Sequence, residues 1–320
     1  MDFIFDAYVT QTLVDGEFAV FTLGDGSLNW DDGHVSQSHD GAILCASRHP
    51  SGVGVITGGD DGRLVWSRRD GSQELARVPG RWIDAVAVSA ASGLIAFAAG
   101  REARVIDTAN SDFLRTFPHE RSVAALSFDP KGRRLAVGTY GGAALWYARI
   151  AEQKPVMLRW AGSHIGIAFS PDGRFLVSAM QESALHGWRL SDAMDMRMGG
   201  YPAKTHSLQF LNRGAWLATS GASGVVLWPF AGNGGPMGKQ AAEIGAQDGA
   251  LVTRVAVSAE ASRVVAGLND GRIWTCDLEN EKLAFLRETA GASVSALALL
   301  PGGRVAWGDE AGGGGVIEPA

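Results

Sequence analysis

The stretch whose residue types could best support binding or catalysis is TGGDDGRLVW, which runs from Thr57 to Trp66. Its paired glycines can turn backbone N–H groups toward an anion, and its paired carboxylates can bind a hard cation. The same residues also suit a tight turn between two strands. A structural turn would recur along the chain and a binding site would stand alone, so recurrence separates the two interpretations.

Two other segments carry suitable residues without the spacing that chemistry requires. GNGGPMGKQ, at 232–240, has Asn233 where a phosphate loop needs its first glycine and Gln240 where it needs Ser or Thr. We interpret it as a flexible surface loop inserted between two strands. GSHIG, at 162–166, has Ser163 next to its first glycine, which is not the spacing of a nucleophile elbow. We place His164 at the start of a strand.

Composition limits the classes of ligand and compartment. The chain of 320 residues has a net charge of −6 and no cluster of Lys and Arg, whereas nucleic-acid binding needs a basic surface. Its two cysteines, Cys45 and Cys276, are too few for a zinc quartet, and we expect buried thiols. The first residues, MDFIFDAYVT, do not have the pattern of a secretory signal. We expect a cytoplasmic protein that binds no metal, cofactor or membrane.

The opening stretch recurs along the whole chain. A Trp closes most copies, at intervals of 36, 80, 42 and 40 residues: Trp30, Trp66, Trp146, Trp188 and Trp228. A turn residue precedes each copy: Gly16, Gly52, Gly93, Gly132, Gly173, Gly214, Ser262 and Gly303. Seven of these eight are glycine, as expected where a turn needs positive φ. The sequence therefore divides into eight units of about 40 residues.

Each unit has the pattern of four short strands. Stretches such as SVAALSF, RLAVGT and GAALW alternate or form short apolar runs, without a sustained helical period. Four strands per unit, repeated many times, indicate a β-propeller whose blades bury their faces on one another. We predict one all-β domain over residues 1–320, a β-propeller of four-stranded antiparallel blades. Eight blades are preferred, with seven as the alternative.

The two ends of the chain are predicted to meet in one blade. The last unit ends on its third strand, and little sequence is left to supply an outer strand. We expect Asp2–Phe5 to pair near Val316–Glu318 and to close the ring.

The segments FSPDGRFLVSA, from Phe169, and HPSGVGVITGGDDGRLVW, from His49, resemble the WD-repeat β-propeller family, and the resemblance covers nearly the whole chain. It implies a hydrogen-bonded structural set within a blade, made by His39, Thr57, Asp61 and Trp66. A second, less complete set is His119, Thr139 and Trp146. The resemblance assigns Asp61 to a buried turn. It therefore favours a structural turn over an anion or metal site at Thr57–Trp66.

The resemblance also implies where a partner would bind. In that family, partners dock on the face made by the loops from each outer strand to the next inner strand and from the second strand to the third. The first set of loops contains Trp82, Arg121 and Tyr201, and the second contains Arg101 and Tyr140. Trp, Tyr and Arg dominate interface energetics, so these five residues are the candidate partner contacts.

We predict a non-catalytic scaffold that binds a protein or peptide partner on one face, with no small-molecule substrate. The first alternative is a channel-centred, metal-dependent hydrolase or lactonase-like enzyme. Such a channel needs several converging oxygen ligands, yet the inner strands are largely apolar and Asp84 is their one evident acid. The second alternative is a subunit of a nucleic-acid-associated complex, which would carry a basic patch.

Overall fold

The computed structural model describes residues 1–258 and 262–319, which form thirty β-strands and two short 3-10 turns. The first ten strands are β1 (Asp2–Ile4), β2 (Val9–Asp15), β3 (Phe18–Leu23), β4 (Ser27–Trp30), β5 (Val35–Gln37), β6 (Ile43–Arg48), β7 (Val55–Gly59), β8 (Arg63–Arg68), β9 (Gly71–Arg77) and β10 (Ile83–Ser89). The next ten are β11 (Leu94–Ala99), β12 (Glu102–Asp107), β13 (Asn110–Pro118), β14 (Ala125–Phe128), β15 (Arg134–Tyr147), β16 (Val156–Phe169), β17 (Phe175–Met180), β18 (Leu185–Arg189), β19 (Met194–Met198) and β20 (Leu208–Leu211). The last ten are β21 (Trp216–Thr219), β22 (Val225–Pro229), β23 (Ala242–Ile244), β24 (Val252–Val257), β25 (Arg263–Leu268), β26 (Ile273–Asp277), β27 (Lys282–Arg287), β28 (Val294–Leu299), β29 (Val305–Asp309) and β30 (Gly313–Ile317). The 3-10 turns are Asn212–Gly214 and Pro301–Gly303.

The strands form seven hydrogen-bonded sheets, which are the blades. Six sheets have four strands each: β2–β5, β6–β9, β10–β13, β20–β23, β24–β27, and β28–β30 with β1. The seventh has six strands, β14 to β19 in sequence order. Antiparallel four-stranded blades are thus the rule, as predicted. Counted as continuous sheets, however, the structure has seven blades, and the preference for eight is wrong.

In the six-stranded sheet, strand pairing continues through a tight turn within β15. The chain turns back at Gly141 and Gly142, which have φ of 94° and 135°, and Ala148 N–H donates to the Arg133 carbonyl at 2.9 Å. Tyr140 lies opposite Ser163 of β16, and after a register shift Gly142 lies opposite Arg159. The sequence there is Tyr-Gly-Gly, without the aspartate found in the corresponding turn at Asp61. The fourth and fifth sequence units therefore share one continuous sheet.

Strand position explains the sequence patterns. All six residues of β11, LIAFAA, are buried, because a central strand packs on both faces. The inner strand β10, IDAVAVS, alternates between buried and more exposed residues. The outer strand β9, GSQELAR, is mostly exposed and polar. A charged edge strand of this kind resists pairing with other chains.

The contacts within the chain group it into two compact units, Met1–Thr12 with Ser170–Ala320 (unit 1) and Leu13–Phe169 (unit 2). In each unit the apolar clusters lie between neighbouring sheets. In unit 2, Ile56 and Leu64 of one sheet pack with Ile95 and Phe97 of the next. Clusters of the same kind fill unit 1, where Trp274 is fully buried. Each sheet therefore depends on a neighbour to bury its faces.

The predicted turn glycines have the expected backbone. Gly16, Gly52, Gly93, Gly132, Gly173, Gly214 and Gly303 all have φ between 62° and 85°. In this left-handed region a side chain costs free energy and glycine does not. The prediction of positive φ at these seven turns is confirmed. The two cysteines are also free and buried, as predicted.

The N-terminal strand completes the last sheet, as predicted. β1 pairs antiparallel with β30, and the partners of Asp2–Ile4 are Gly313–Gly315 instead of Val316–Glu318. Met1 and Val316 exchange two hydrogen bonds of 2.7 and 2.8 Å. Glycine is needed in this register, because a Cβ on Gly315 would lie 2.7 Å from the Met1 carbonyl oxygen.

Candidate interaction face

Four of the five candidate contact residues lie in unit 2, on loops at one end of its sheets. Trp82 lies between β9 and β10, Arg101 between β11 and β12, and Arg121 between β13 and β14, while Tyr140 lies within β15 where the second-to-third turn was expected. Trp82 and Tyr140 expose 64% and 61% of their surface, which is high for aromatic side chains. We call these four residues the unit 2 face.

Backbone hydrogen bonds join the loops of the unit 2 face. His119 N–H donates to the Arg101 carbonyl at 2.9 Å, and Val123 N–H donates to the Gly100 carbonyl at 2.9 Å. These bonds tie the loop that carries Arg121 to the turn that carries Arg101. The loops that carry Arg101 and Arg121 are therefore held together before a partner binds, which lowers the entropy cost of binding.

The cations of the unit 2 face are available to a partner. Arg101 and Arg121 form no ion pair or side-chain hydrogen bond with the described residues, although nearby Arg104 is paired with Glu102 at 2.8 Å. An exposed Trp and Tyr beside unpaired Arg provide the residue types that contribute most to protein interfaces.

Tyr201 does not belong to this face. It lies in unit 1 with 8% of its surface exposed, so the prediction that it is a surface contact is wrong. Its hydroxyl accepts a hydrogen bond from Trp228 Nε1 at 2.7 Å and lies 2.6 Å from the Thr219 hydroxyl. Burial raises the pKa of Tyr201 to about 12, against the opposing effect of these hydrogen bonds. Tyr201 is a buried structural residue.

The set of His39, Thr57, Asp61 and Trp66 is brought together only in part. His39 Nδ1 lies 3.0 Å from Asp61 Oδ1, and His39 Nε2 lies 2.8 Å from Thr57 Oγ1. A carboxylate can only accept, so Nδ1–H donates to Asp61, while Nε2 and the Thr57 hydroxyl share the second hydrogen bond and that hydroxyl also lies 3.4 Å from the Val65 carbonyl. Trp66 is absent from this network: its indole donates to the Val53 carbonyl at 3.0 Å and its ring stacks on His49 at 3.9 Å.

The His39 network links a hydroxyl, an imidazole and a carboxylate in the same order as a catalytic triad, but it cannot act as one. Thr57 is fully buried and His39 has 1% of its surface exposed, so no substrate reaches the hydroxyl. Burial acts to raise the pKa of Asp61, but hydrogen bonds from His39 and from the N–H groups of Arg63 and Asp40 outweigh it and lower that pKa. The network fixes a turn.

The Tyr201 network was missed from the sequence, although spacing carried the signal. Tyr201 precedes Thr219 by 18 residues and Trp228 by 27. His39 precedes Thr57 and Trp66 by the same intervals. Aligning the units by position, without requiring a His, identifies Tyr201 as a network residue.

The second expected set, His119, Thr139 and Trp146, forms no hydrogen-bonded network. The Trp146 ring stacks on Phe117 at 4.7 Å and meets the edge of His119 at 5.7 Å. The Thr139 hydroxyl donates to the Tyr140 carbonyl at 3.3 Å. Burial lowers the pKa of His119 to about 4, so this imidazole is neutral at pH 7.

The remaining sequence candidates fall in structural positions. Asp84 lies on β10, and across residues 1–258 and 262–319 no three His, Cys, Asp or Glu side chains cluster to hold a metal ion. His164 is fully buried within β16. No helix in the described ranges is both long and apolar enough to span a bilayer.

The segment at 232–240 lies between β22 and β23, as expected of an insertion, but it packs on its own unit. Asn233 Oδ1 accepts a hydrogen bond from Arg174 at 3.0 Å. Met237 packs against an apolar cluster that includes Phe175 and Met198. These contacts hold the segment against its neighbours, which differs from the free surface loop that we predicted.

Comparison with known proteins identifies the fold. The chain is similar to the computationally designed Ika8 protein, with a TM-score of 0.78, 21% identity and coverage of 99% of this chain and 98% of that one. It is also similar to the β-propeller domain of Cps50 (Swd1) from Myceliophteria thermophila, with a TM-score of 0.68, 14% identity and coverage of 87% and 97%. No protein-family model and no curated protein sequence matches the chain. The fold is a β-propeller, and membership of the WD-repeat family stays a prediction.

Proposed function

We propose that this protein is a non-catalytic scaffold that holds a protein or peptide partner on the unit 2 face. The observation that carries the proposal is that exposed Trp82 and Tyr140 and unpaired Arg101 and Arg121 lie at one end of the sheets of unit 2, with the connections of Arg101 and Arg121 joined by hydrogen bonds. Large, stiff aromatic rings bury much area at little entropic cost, and arginine adds directional donors.

The chemistry of the unit 2 face defines the partner class. Arg101 and Arg121 favour a partner that offers carboxylates or backbone carbonyls, and the two aromatic rings favour apolar side chains between them. The free, buried cysteines agree with a reducing compartment, and we propose the cytoplasm as the place of action. The structural neighbours support the propeller platform and carry no information about the partner.

An affinity pull-down from native cytosol tests the proposal. The face variant combines Trp82→Ala, Arg101→Glu and Tyr140→Ala, all at exposed positions where folding is expected to be retained. The matched control combines Tyr147→Ala and Arg133→Glu, which change an exposed aromatic and an exposed cation of the same unit. Circular dichroism establishes that both variants are folded.

We expect wild type and control to retain a stoichiometric partner that the face variant loses. A partner retained equally by all three proteins would remove the unit 2 face from the proposal. Absence of any partner, together with a bound metal in the purified protein, would favour the hydrolase alternative. Capture of nucleic acid with a steep salt dependence would favour the other alternative.

A further inference from the structure

A concave surface, separate from the unit 2 face, lies wholly within unit 1. It is a cavity of about 430 Å³, open to solvent. Its lining comes from four connections between strands and from the start of β24, and it includes Ser183, Lys204, His206, Thr253 and Asn269. We call it the unit 1 pocket.

Backbone hydrogen bonds hold the rim of the unit 1 pocket in place. Ala203 N–H donates to the Gly221 carbonyl at 3.1 Å, and Gly221 N–H donates to the Val252 carbonyl at 2.9 Å. Leu251 and Asn269 continue this ladder, with Asn269 N–H donating to the Leu251 carbonyl at 2.9 Å and Leu251 N–H donating to Asn269 Oδ1 at 2.8 Å. The rim is therefore formed before any ligand binds, which lowers the entropy cost of binding.

Lys204 and His206 are the basic residues that line the unit 1 pocket, and Arg254 lies outside the lining but close enough for its charge to act on His206. Lys204 and His206 stand at its exposed edge, and Arg254 of β24 is half-buried beside Thr253. Within the described residues, no carboxylate lies within 4.0 Å of Lys204 or Arg254. The Arg254 guanidinium donates only to the carbonyl of Thr253, at 3.0 Å.

The electrostatics of the unit 1 pocket favour an incoming anion. Burial lowers the pKa of Arg254, and the carboxylate of Glu310, beyond ion-pair distance, only partly opposes this. Burial also lowers the pKa of His206, and the charges of Arg254 and Lys204 lower it further. A partly desolvated cation without a counter-charge costs free energy that a bound anion offsets.

The polar groups around the pocket can also orient an anion. Asn269 uses its side-chain oxygen to hold Leu251, so its exposed amide NH₂ is left as a donor. Neutral His206 can donate a further N–H. The lining residues thus offer an ammonium, an amide and an imidazole as donors, with no carboxylate among them, and the Arg254 guanidinium adds positive charge close by.

We propose that the unit 1 pocket binds an anionic side chain, carboxylate or phosphate, carried by a peptide segment of a partner. The pocket opens broadly to solvent, whereas sites for free small molecules enclose most of the ligand, so a side chain projected from a peptide fits it better. This inference rests on the proposed scaffold function, because it needs a peptide partner, but it uses a different surface.

Fluorescence anisotropy with labelled peptides tests the inference. Three short Gly/Ser peptides differ only at their centre, which holds two glutamates, one phosphoserine or two glutamines. We expect both acidic peptides to bind wild type at least about tenfold more tightly than the glutamine peptide, because charge-assisted hydrogen bonds are stronger than neutral ones. The tighter of the two acidic peptides identifies the preferred anion.

Two variants assign the binding to the pocket. Arg254→Met and Lys204→Glu should each weaken the acidic peptides by about tenfold or more, with the glutamine peptide unaffected. Lys204 is exposed, so its variant remains informative if Arg254→Met folds poorly. Arg272→Gln is the control: it removes one positive charge from the same turn as Asn269, but Arg272 is already paired with Asp270 at 2.7 Å. Binding by the control should match wild type.

The result that overturns the inference is equal binding by wild type, Arg254→Met and Lys204→Glu, or no preference for the acidic peptides. The two proposals fail separately. If the unit 2 face variant loses a native partner while no acidic peptide binds, the scaffold stands and the pocket fails. If acidic peptides bind in an Arg254-dependent manner while the face variant retains its partner, the pocket stands and the face fails.

Discussion

The His39 network of unit 2 and the Tyr201 network of unit 1 occupy equivalent positions in two sequence units and use different chemistry. The first joins an imidazole, a hydroxyl and a carboxylate, and the second joins an indole, a phenol and a hydroxyl. Both place a threonine hydroxyl, fully buried, within hydrogen-bond distance of the residue 18 positions earlier. Thr57 and Thr219 thus find partners of different kinds, so the position does not require one set of residues.

The two networks also differ in what their Trp does. Trp228 donates to Tyr201, whereas Trp66 leaves the network to stack on His49. In unit 2 the carboxylate of Asp61 already satisfies the imidazole, and the indole bonds elsewhere.

Deletion of residues 1–6 should lower the melting temperature by several degrees, because it removes β1 and exposes the edge of β30. The loss should be concentrated in unit 1, which contains both strands. Hydrogen exchange is the measurement: amides of β28–β30 should lose protection, and those around His39 should keep it. An unchanged melting temperature would contradict the closing role of β1.

His39→Ala should destabilise the protein by about 2–4 kcal/mol, because it removes a buried ring and leaves Thr57 and Asp61 without their shared partner. The shift of the urea unfolding midpoint measures this. His34→Ala is the control, since this histidine is partly exposed outside the network. A loss no larger than that of the control would show that the network adds nothing to stability.

Tyr201→Phe should cost less, about 1–2 kcal/mol, because it keeps the ring and removes only the hydroxyl that Trp228 and Thr219 share. Tyr147→Phe, at a half-exposed tyrosine, is the matched control and should be neutral. The same urea midpoint applies. If Tyr201→Phe is as stable as its control, the neutral network is dispensable and the comparison fails on the unit 1 side.

The two networks should respond to opposite ends of the pH scale, with the smallest effects of this series. The pKa of Asp61 is lowered from 3.8, so its contribution is present above that value and is lost as pH falls through the lower folded pKa. The pKa of Tyr201 is raised from 10.0 to about 12, so its contribution is present below pH 10 and is lost between pH 10 and 12. Melting curves of Asp61→Asn should lack part of the acid loss, and those of Tyr201→Phe part of the alkaline loss. An identical pH profile for all three proteins would contradict these assignments.

Much of the fold was predictable because each feature of a repeat can be checked against the same feature in the other units. The seven turn glycines, the mixture of alternating and apolar strands and the pairing of the N-terminal segment with the last strand all followed from spacing. The blade count did not. At Tyr140–Gly142 the chain turns without an aspartate like Asp61, and the structure was needed to show that strand pairing continues through this turn into β16.

The sequence predicted which residue types the candidate site contains, but it predicted the exposure of their side chains less well. Trp82 and Tyr140 are exposed on the loops where they were placed, whereas Tyr201 is buried. A tyrosine in a loop can face solvent or fill the interior. Tyr201 faces the interior because Thr219 and Trp228 offer hydrogen-bond partners to its hydroxyl there. The unit 1 pocket was not predicted from the sequence, because its lining residues lie in separate connections that are far apart in the chain.

The repeat, the strand character of each unit and the turns could be predicted from the sequence alone, because these depend on local backbone preference and on the short-range polar and apolar pattern. Which units share a sheet, which buried polar groups satisfy one another and which cations are left without a counter-charge became evident in the folded structure. Those outcomes depend on contacts between residues far apart in the chain, such as Gly221 with Val252, and no local pattern encodes them.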